Sequence, residues 1–265
     1  ECSSAPPAPV VALTTVLFSS SSLGVRICFD ICFFCTTFFC RKEAEEPGGV
    51  VVDSSEVYVS DWQNNRVMVF DTSGNYQRTW GSEGDAGGDF RKPWGIAVDS
   101  SGKLYVQDTG NNRIQKLTPS GGFLDASDED WGRSNLTDPR HVVTDSQGNV
   151  YVTNHGNNHV VKMDSYLNHS VAVLWGNLGS GNGQFNHPRG IAVDSQDNVY
   201  ISDRLNHRIQ KFDSAGNFLF AWGTFGTGDG EFNEPAGIAI NSAGNVAVAD
   251  RVNHRIQMFD PSGNF

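Results

Sequence analysis

The chain has 265 residues, of which 38% are hydrophobic and 18% charged, and it carries a formal charge of −11. This composition excludes wholesale disorder, the absence of any run of eighteen apolar residues excludes a simple membrane-spanning helix, and the acidic balance argues against a general polyanion binder. Twenty-nine glycines without a three-residue period exclude collagen and predict many tight turns.

Residues 1–46 differ in style from the rest of the chain. All five cysteines lie there (Cys2, Cys28, Cys32, Cys35 and Cys40), with a serine run at 19–22 and two apolar runs, Val10–Phe18 and Ile27–Phe39. Neither run reads as a signal peptide, since the first lacks a basic start and the second contains Asp30. The spacing of Cys28, Cys32 and Cys35 resembles the cluster loop of radical S-adenosylmethionine enzymes, which would imply three thiolates on a [4Fe–4S] cluster. The long alternation of strands and helices that such enzymes need is missing downstream, so a chance match is preferred. An odd number of cysteines defines no disulfide framework. Residues 1–46 are therefore set apart as a Cys/Ser/Phe-rich leader, and 47–265 as the folded domain.

From Pro47 the sequence repeats. Copies begin at Pro47, Pro93, Pro139, Pro188 and Pro235, at intervals of 46, 46, 49 and 47 residues. Each holds four short runs rich in Val, Ile, Tyr and Phe, separated by Gly, Asn and Asp turns. In the fourth copy these are Gly190–Asp194, Asn198–Ser202, Arg208–Phe212 and Phe218–Trp222. Alternation and β-branching predict strands, the turns predict hairpins, and four-stranded antiparallel units at this period predict an all-β propeller.

The pattern P-x-G-[IV]-x-[VI]-D, then [VL]-Y-[VI]-x-D-x-x-N-x-R-[IV]-Q-K-F-D-x-x-G-N-F and a closing W-G resembles NHL repeats over residues 47–265. The resemblance implies a ring that usually has six blades. Four nearly full blades and three strands of a fifth are legible, so the chain is read as a fragment of a six-bladed ring. Either further residues or part of 1–46 would supply the closing strand, because unpaired edges are a liability in water.

Most repeated residues suggest structural work. Tyr58, Tyr105, Tyr151 and Tyr200 share one slot and are expected between blades; Trp80, Trp131, Trp175 and Trp222 end the outer strands. Asp61, Asp108, Asp203 and Asp250 stand five residues before Arg66, Arg113, Arg208 and Arg255, a spacing expected to give a clamp across the turn after the second strand. Blade three replaces both members, with Asn154 and His159, as expected of a pair that would leave a stranded charge if only one changed.

Positions that the repeat leaves free are where a ligand would be read. The residue after the inner proline is Gly48, Trp94, Arg140, Arg189 or Ala236, and the residue after the clamp Asp or Asn is Trp62, Thr109, His155, Arg204 or Arg251. Up-and-down chain direction puts both sets at one end of the propeller. Trp62, Trp94, Arg140, His155, Arg189, Arg204 and Arg251 therefore form a candidate face for an anionic or planar ligand. The alternative is that the arginines pair with loop acids such as Asp229, Glu231 and Glu234.

The resemblance implies two uses of such a face. NHL propellers of RING-type ubiquitin ligases bind RNA or proteins there, which would make this a cytoplasmic, non-catalytic scaffold. No RING spacing is present in 1–46, so ligase activity is not expected of this chain. A secreted propeller recognising proteins or acidic glycans is the alternative, with Asn135 and Asn168 as glycosylation acceptors. The enzymatic alternative is a zinc lyase like the peptide-amidating enzyme. It is disfavoured because none of the positions after the inner proline is His; His141 is displaced by one residue, and His207 and His254 occupy turn slots. No cofactor, metal or catalytic residue is expected. The sequence leaves the oligomeric state open.

Overall fold

A computed structural model describes residues 47–127, 136–167 and 172–265. The leader cysteines, Trp131 and both sequon asparagines, Asn135 and Asn168, lie outside the described residues. Among the described residues nineteen strands form five antiparallel sheets. Blade one comprises β1 (Pro47–Val52), β2 (Glu56–Asp61), β3 (Arg66–Asp71) and β4 (Tyr76–Trp80). Blade two comprises β5 (Pro93–Val98), β6 (Leu104–Asp108), β7 (Arg113–Leu117) and β8 (Phe123–Ala126). Blade three has β9 (Pro139–Thr144), β10 (Val150–Asn154), β11 (His159–Met163) and β12 (Val173–Trp175). Blade four has β13 (Pro188–Val193), β14 (Val199–Asp203), β15 (Arg208–Phe212) and β16 (Phe218–Trp222). Blade five has three strands among the described residues: β17 (Pro235–Ile240), β18 (Val246–Asp250) and β19 (Arg255–Phe259).

Each blade runs inner strand to outer strand in chain order, and the inner strands pack in sequence from β1 through β5, β9 and β13 to β17. The inner strands start earlier than the apolar pattern suggests. Pro188 pairs with Asp203 across a bulge, which brings the proline and its free neighbour into the sheet.

The core lies between blades. The side of a blade facing its successor, its leading face, carries the repeated tyrosine; Tyr58, Tyr105, Tyr151 and Tyr200 are fully buried there against aliphatic residues. Three polar hooks then cross to the next blade. The Tyr105 and Tyr151 hydroxyls donate to Asp99 (3.1 Å) and Asp145 (3.0 Å) of their own blades and reach the Ser165 and Ser214 carbonyls of the next. Lys116 and Lys162 lie over those tyrosine rings and donate to the same carbonyls at 2.6 and 2.8 Å. The hydroxyls of Ser60, Thr153 and Ser202 donate to the carbonyls of Trp94, Arg189 and Ala236, 2.5–2.7 Å away on the following inner strand. Trp80, Trp175 and Trp222 end their outer strands over the turn glycines of the next blade, Gly121, Gly216 and Gly263, where no Cβ fits.

A rim of guanidiniums and indoles

Both sets of free positions lie at one end of the blades because Pro47, Pro93, Pro139, Pro188 and Pro235 pair with Asp61, Asp108, Asn154, Asp203 and Asp250. Beneath this rim sit the Asp–Arg pairs. The Nε atoms of Arg66, Arg113, Arg208 and Arg255 each lie 2.8 Å from Asp61, Asp108, Asp203 and Asp250, whose carboxylates are fully buried. Asp203 also accepts from the Asn186 amide (2.7 Å), Asn206 (2.9 Å) and Gln210 (3.1 Å). Arg208 donates its Nη2 to the carbonyls of Gly181 and Gln184, so the pair also fastens the connector arriving from blade three. In blade three Asn154 meets His159 at 2.8 Å and accepts from the Thr137 amide at 2.8 Å. His207 and His254 adopt left-handed φ of 55° and 54°, like Asn65, Asn112 and Asn158, and His207 Nδ1 accepts from the Glu234 amide at 3.2 Å.

The rim has two halves of different chemistry. Over blades one to three, Lys92 lies 4.9 Å from the Trp62 ring, Trp62 meets Trp94 edge to face at 6.1 Å, and Arg140 lies 5.2 Å from Trp94. Arg140 also donates to Asp138 at 2.7 Å. Over blades four and five, Glu234 lies between two guanidiniums, 2.6 Å from Arg204 and 2.6 Å from Arg251. Burial would raise its pKa, but the hydrogen bonds and charges of the two arginines outweigh that and hold it below the usual carboxylate value. Among the described residues Asp229 and Glu231 make no ion pair with these arginines; the Glu231 carboxylate accepts the Gly228 amide instead.

Arg189 stands between the halves and is only 9% exposed. Burial, with the nearby charges of Arg140, Arg251 and Arg204, lowers its pKa to about 9. His155 is buried beside it on blade three, its Nδ1 3.1 Å from the Pro188 carbonyl and its ring edge to face with His187 at 4.9 Å. Burial first, then Arg140, lowers His155 to about 4; burial with Arg189 and Arg140 lowers His141 to about 3. Both imidazoles are neutral at neutral pH. The seven expected positions thus share one end of the fold, in two clusters flanking Arg189.

Sequence reasoning missed Lys92, Asp138 and His187 as rim residues, and named Glu234 only as a loop acid that would pair with the arginines, as it does with Arg204 and Arg251. All four precede an inner proline and adopt positive φ of 48–56°, which lifts their side chains onto the rim. Their shared place one residue before the repeated proline was the available signal. His141 occupies the slot held by glycine in the other blades and turns inward.

Among the described residues no group of three or more His, Cys, Asp or Glu side chains converges as a metal site, and no helix is long and apolar enough to cross a membrane. Sheets in this order, packed inner strand to inner strand, define a β-propeller. A family model for the NHL repeat matches residues 90–117, 185–212 and 232–259, within blades two, four and five. The chain thus contains NHL repeats at these three places. Over 45 residues it is 49% identical to the E3 ubiquitin-protein ligase TRIM71 of Bos taurus, and over 46 residues 44% identical to protein lin-41 of Caenorhabditis elegans. Each alignment covers 17% of this chain and only 5% and 4% of those relatives. Among solved structures, a virginiamycin B lyase from Staphylococcus aureus superposes with a TM-score of 0.60 at 15% identity, covering 84% of this chain and 72% of that one. The nidogen/laminin complex gives 0.60 at 19% identity, covering 83% and 81%. At such identities the likeness is one of fold alone.

Proposed function

We propose that the domain is a non-catalytic binding platform whose rim takes an anionic segment of a macromolecular partner. The observation that carries this reading is Arg189: a guanidinium kept almost out of water among three further guanidiniums, with two rim carboxylates, Glu234 and Asp138, to offset them. Guanidiniums gathered at one enclosed place, with Arg189 lowered by burial and by the charges of its neighbours, suit an anionic ligand through charge-assisted hydrogen bonds. The Trp62–Trp94 pair beside it offers planar apolar area to the same ligand. The ring is read as six-bladed, with a further sheet between β17 and β1, in keeping with the family resemblance.

The relatives named as ubiquitin ligases match this chain over about one blade, so the function carried across is recognition and not ubiquitin transfer. RNA and acidic protein segments both offer the required anions, and protein is the preferred class on a chain of charge −11. Titrating fluorescent acidic peptides and RNA hairpins against the wild type, Arg189→Gln and Arg140→Gln tests the reading. Loss of a charge-assisted hydrogen bond weakens binding by about tenfold to a hundredfold and flattens the salt dependence. Equal affinity in all three proteins, for every probe that binds, would refute it.

A further inference from the structure

Blade four carries an apolar shelf at the rim end of the propeller, on positions that the repeat leaves free. The connector entering a blade folds back on itself, and one slot in it reads Glu83, Leu178 and Phe225, bridged to the buried Phe90, Phe185 and Phe232. Leu178 is 63% and Phe225 67% exposed. Their backbone is fixed: the Gly179 amide donates to the Phe185 carbonyl at 3.0 Å and the Phe185 amide to Asn177 at 2.9 Å, with Gly226, Phe232 and Thr224 repeating this at 3.1 and 2.8 Å. Both side chains flank one turn of blade four, Arg204 to His207. On one flank Asn206 Nδ2 donates to the Gly179 carbonyl at 2.7 Å, and on the other Phe225 meets His207 edge to face at 4.8 Å. Leu205 belongs to the same turn and is partly exposed. Its amide donates to the Asn186 carbonyl as those of Gly110 and Gly156 do to Arg91 and Thr137, so a leucine stands in a slot that blades two and three give to glycine. The turn also ties the shelf to the rim, since Arg204 lies 2.6 Å from Glu234 and His207 accepts the Glu234 amide. Blade four packs between blades three and five, so the shelf belongs to a sector with both neighbours in place.

We infer that the partner at the rim is a protein segment in which carboxylates stand beside aliphatic or aromatic side chains. The carboxylates meet the rim guanidiniums, and the apolar side chains seat on Leu178, Leu205 and Phe225. This deepens the rim reading and rests on it. Positive charge ends abruptly outside the guanidiniums: residues 223–234 carry Asp229, Glu231 and Glu234 with no Lys or Arg, and residues 176–187 carry no Asp, Glu, Lys or Arg. A long polyanion laid outward across blade four would leave cations for carboxylates. A short acidic stretch that gives way to apolar side chains meets complementary chemistry at each step. Two of the three shelf side chains are aliphatic and offer a nucleic-acid base no aromatic ring to stack on. The bonded connector backbone holds Leu178 and Phe225 in place before a partner arrives, which keeps the ordering cost of binding small.

A displayed library of random peptides, selected on the full chain, tests the assignment. The selected peptides are titrated against the wild type, Leu178→Ser, Leu205→Gly, Phe225→Ser and Arg189→Gln, with a thermal melt of each variant to show that it is folded. Leu205→Gly installs the residue that blades two and three already carry. The expected peptides place Asp or Glu next to Leu, Ile, Phe or Trp. Their binding should weaken by about tenfold in the shelf variants, as loss of one buried apolar side chain predicts, and also in Arg189→Gln. Peptides enriched in acids alone, or no enrichment at all, would overturn the inference. So would an RNA hairpin that binds more tightly than every selected peptide at physiological salt and is indifferent to the shelf variants. Loss of binding in Arg189→Gln with none in the shelf variants refutes the shelf and leaves the rim reading standing. Equal affinity in the wild type and Arg189→Gln refutes the rim reading, and the shelf assignment with it.

Discussion

Acid should weaken this fold earlier than its carboxylates alone require, because two imidazoles are buried beside guanidiniums. His141 and His155 are each only 7% exposed and have pKa values of about 3 and about 4, against 6.5 for a free imidazole. A histidine with a lowered folded pKa is neutral in the native state while the unfolded chain takes up the proton. Its contribution is therefore present above pH 6.5 and is lost as pH falls from 6.5 toward the folded value. At pH 5 the deficit is 1.5 pK units at 1.36 kcal/mol each, about 2 kcal/mol for one histidine and about 4 kcal/mol for both. Urea unfolding followed by tryptophan fluorescence at pH 7 and pH 5 measures it. The wild type should lose about 4 kcal/mol, and His141→Gln and His155→Gln about 2 kcal/mol each over the same interval. A variant that loses as much as the wild type would show that its histidine is not held neutral, and the picture of a buried cationic rim would fail with it. The same linkage ties the histidines to the ligand: burial is the larger cause of both lowered values, but an anion beside Arg140 offsets the charge repulsion that adds to it, so rim binding should tighten as pH falls toward about 4.

Three further outcomes are expected. A Cβ on Gly190 would run into the Ala236 carbonyl of the next inner strand, so Gly190→Ala should cost about 1–3 kcal/mol and lower Tm by several degrees in a thermal melt; an unchanged Tm would mean the inner strands are not this close. Asp203→Ala strands Arg208 and the Asn186 amide and should cost about 3–5 kcal/mol in urea, whereas Asp203→Asn with Arg208→His, the pairing blade three already uses, should cost clearly less. Equal losses in those two proteins would count against a reciprocal clamp. Trp62→Ala should leave the urea midpoint nearly unchanged, since Trp62 is a half-buried rim residue, while weakening the binding of a probe that carries a planar group; a fall in stability without a fall in affinity would place Trp62 in the scaffold.

How much of this was legible depended on the repeat. A period near 47 residues with four β-rich runs fixes a propeller, because such units bury their apolar faces only against one another, and the tyrosines between blades follow from their shared slot. The hooks were not legible: Ser60, Thr153 and Ser202 look like ordinary strand residues until their hydroxyls meet carbonyls 34–36 positions later in the chain. Glu234 reads in the sequence as one loop acid among several, and its position between two arginines depends on the positive φ that precedes each inner proline.

Blade three shows where the consensus yields and what the departure accomplishes. It replaces the inner glycine by His141, the clamp by Asn154 and His159, the connector-binding glutamine by Val161 and the turn glycine by Leu167. Val161 and Leu167 are buried in the cluster shared with blade two, so their apolar surface offsets lost hydrogen bonds; Leu167 also keeps the left-handed turn, at φ 55°, despite its side chain. Asn154 with His159 is uncharged, as an Asp–Arg pair is in sum, so the exchange leaves the local charge balance as it was. His141 is different in kind. It puts a buried imidazole beside Arg140 and Arg189, at the point where the rim is most enclosed, and nothing in the packing of the other blades requires a side chain there. Violations of a local rule that packing does not repay gather at functional sites. By that criterion the proposed binding surface is centred on Arg140, His141, His155 and Arg189, on the blade three to blade four side of the rim, and the Glu234 carboxylate on its far side pairs with Arg204 and Arg251.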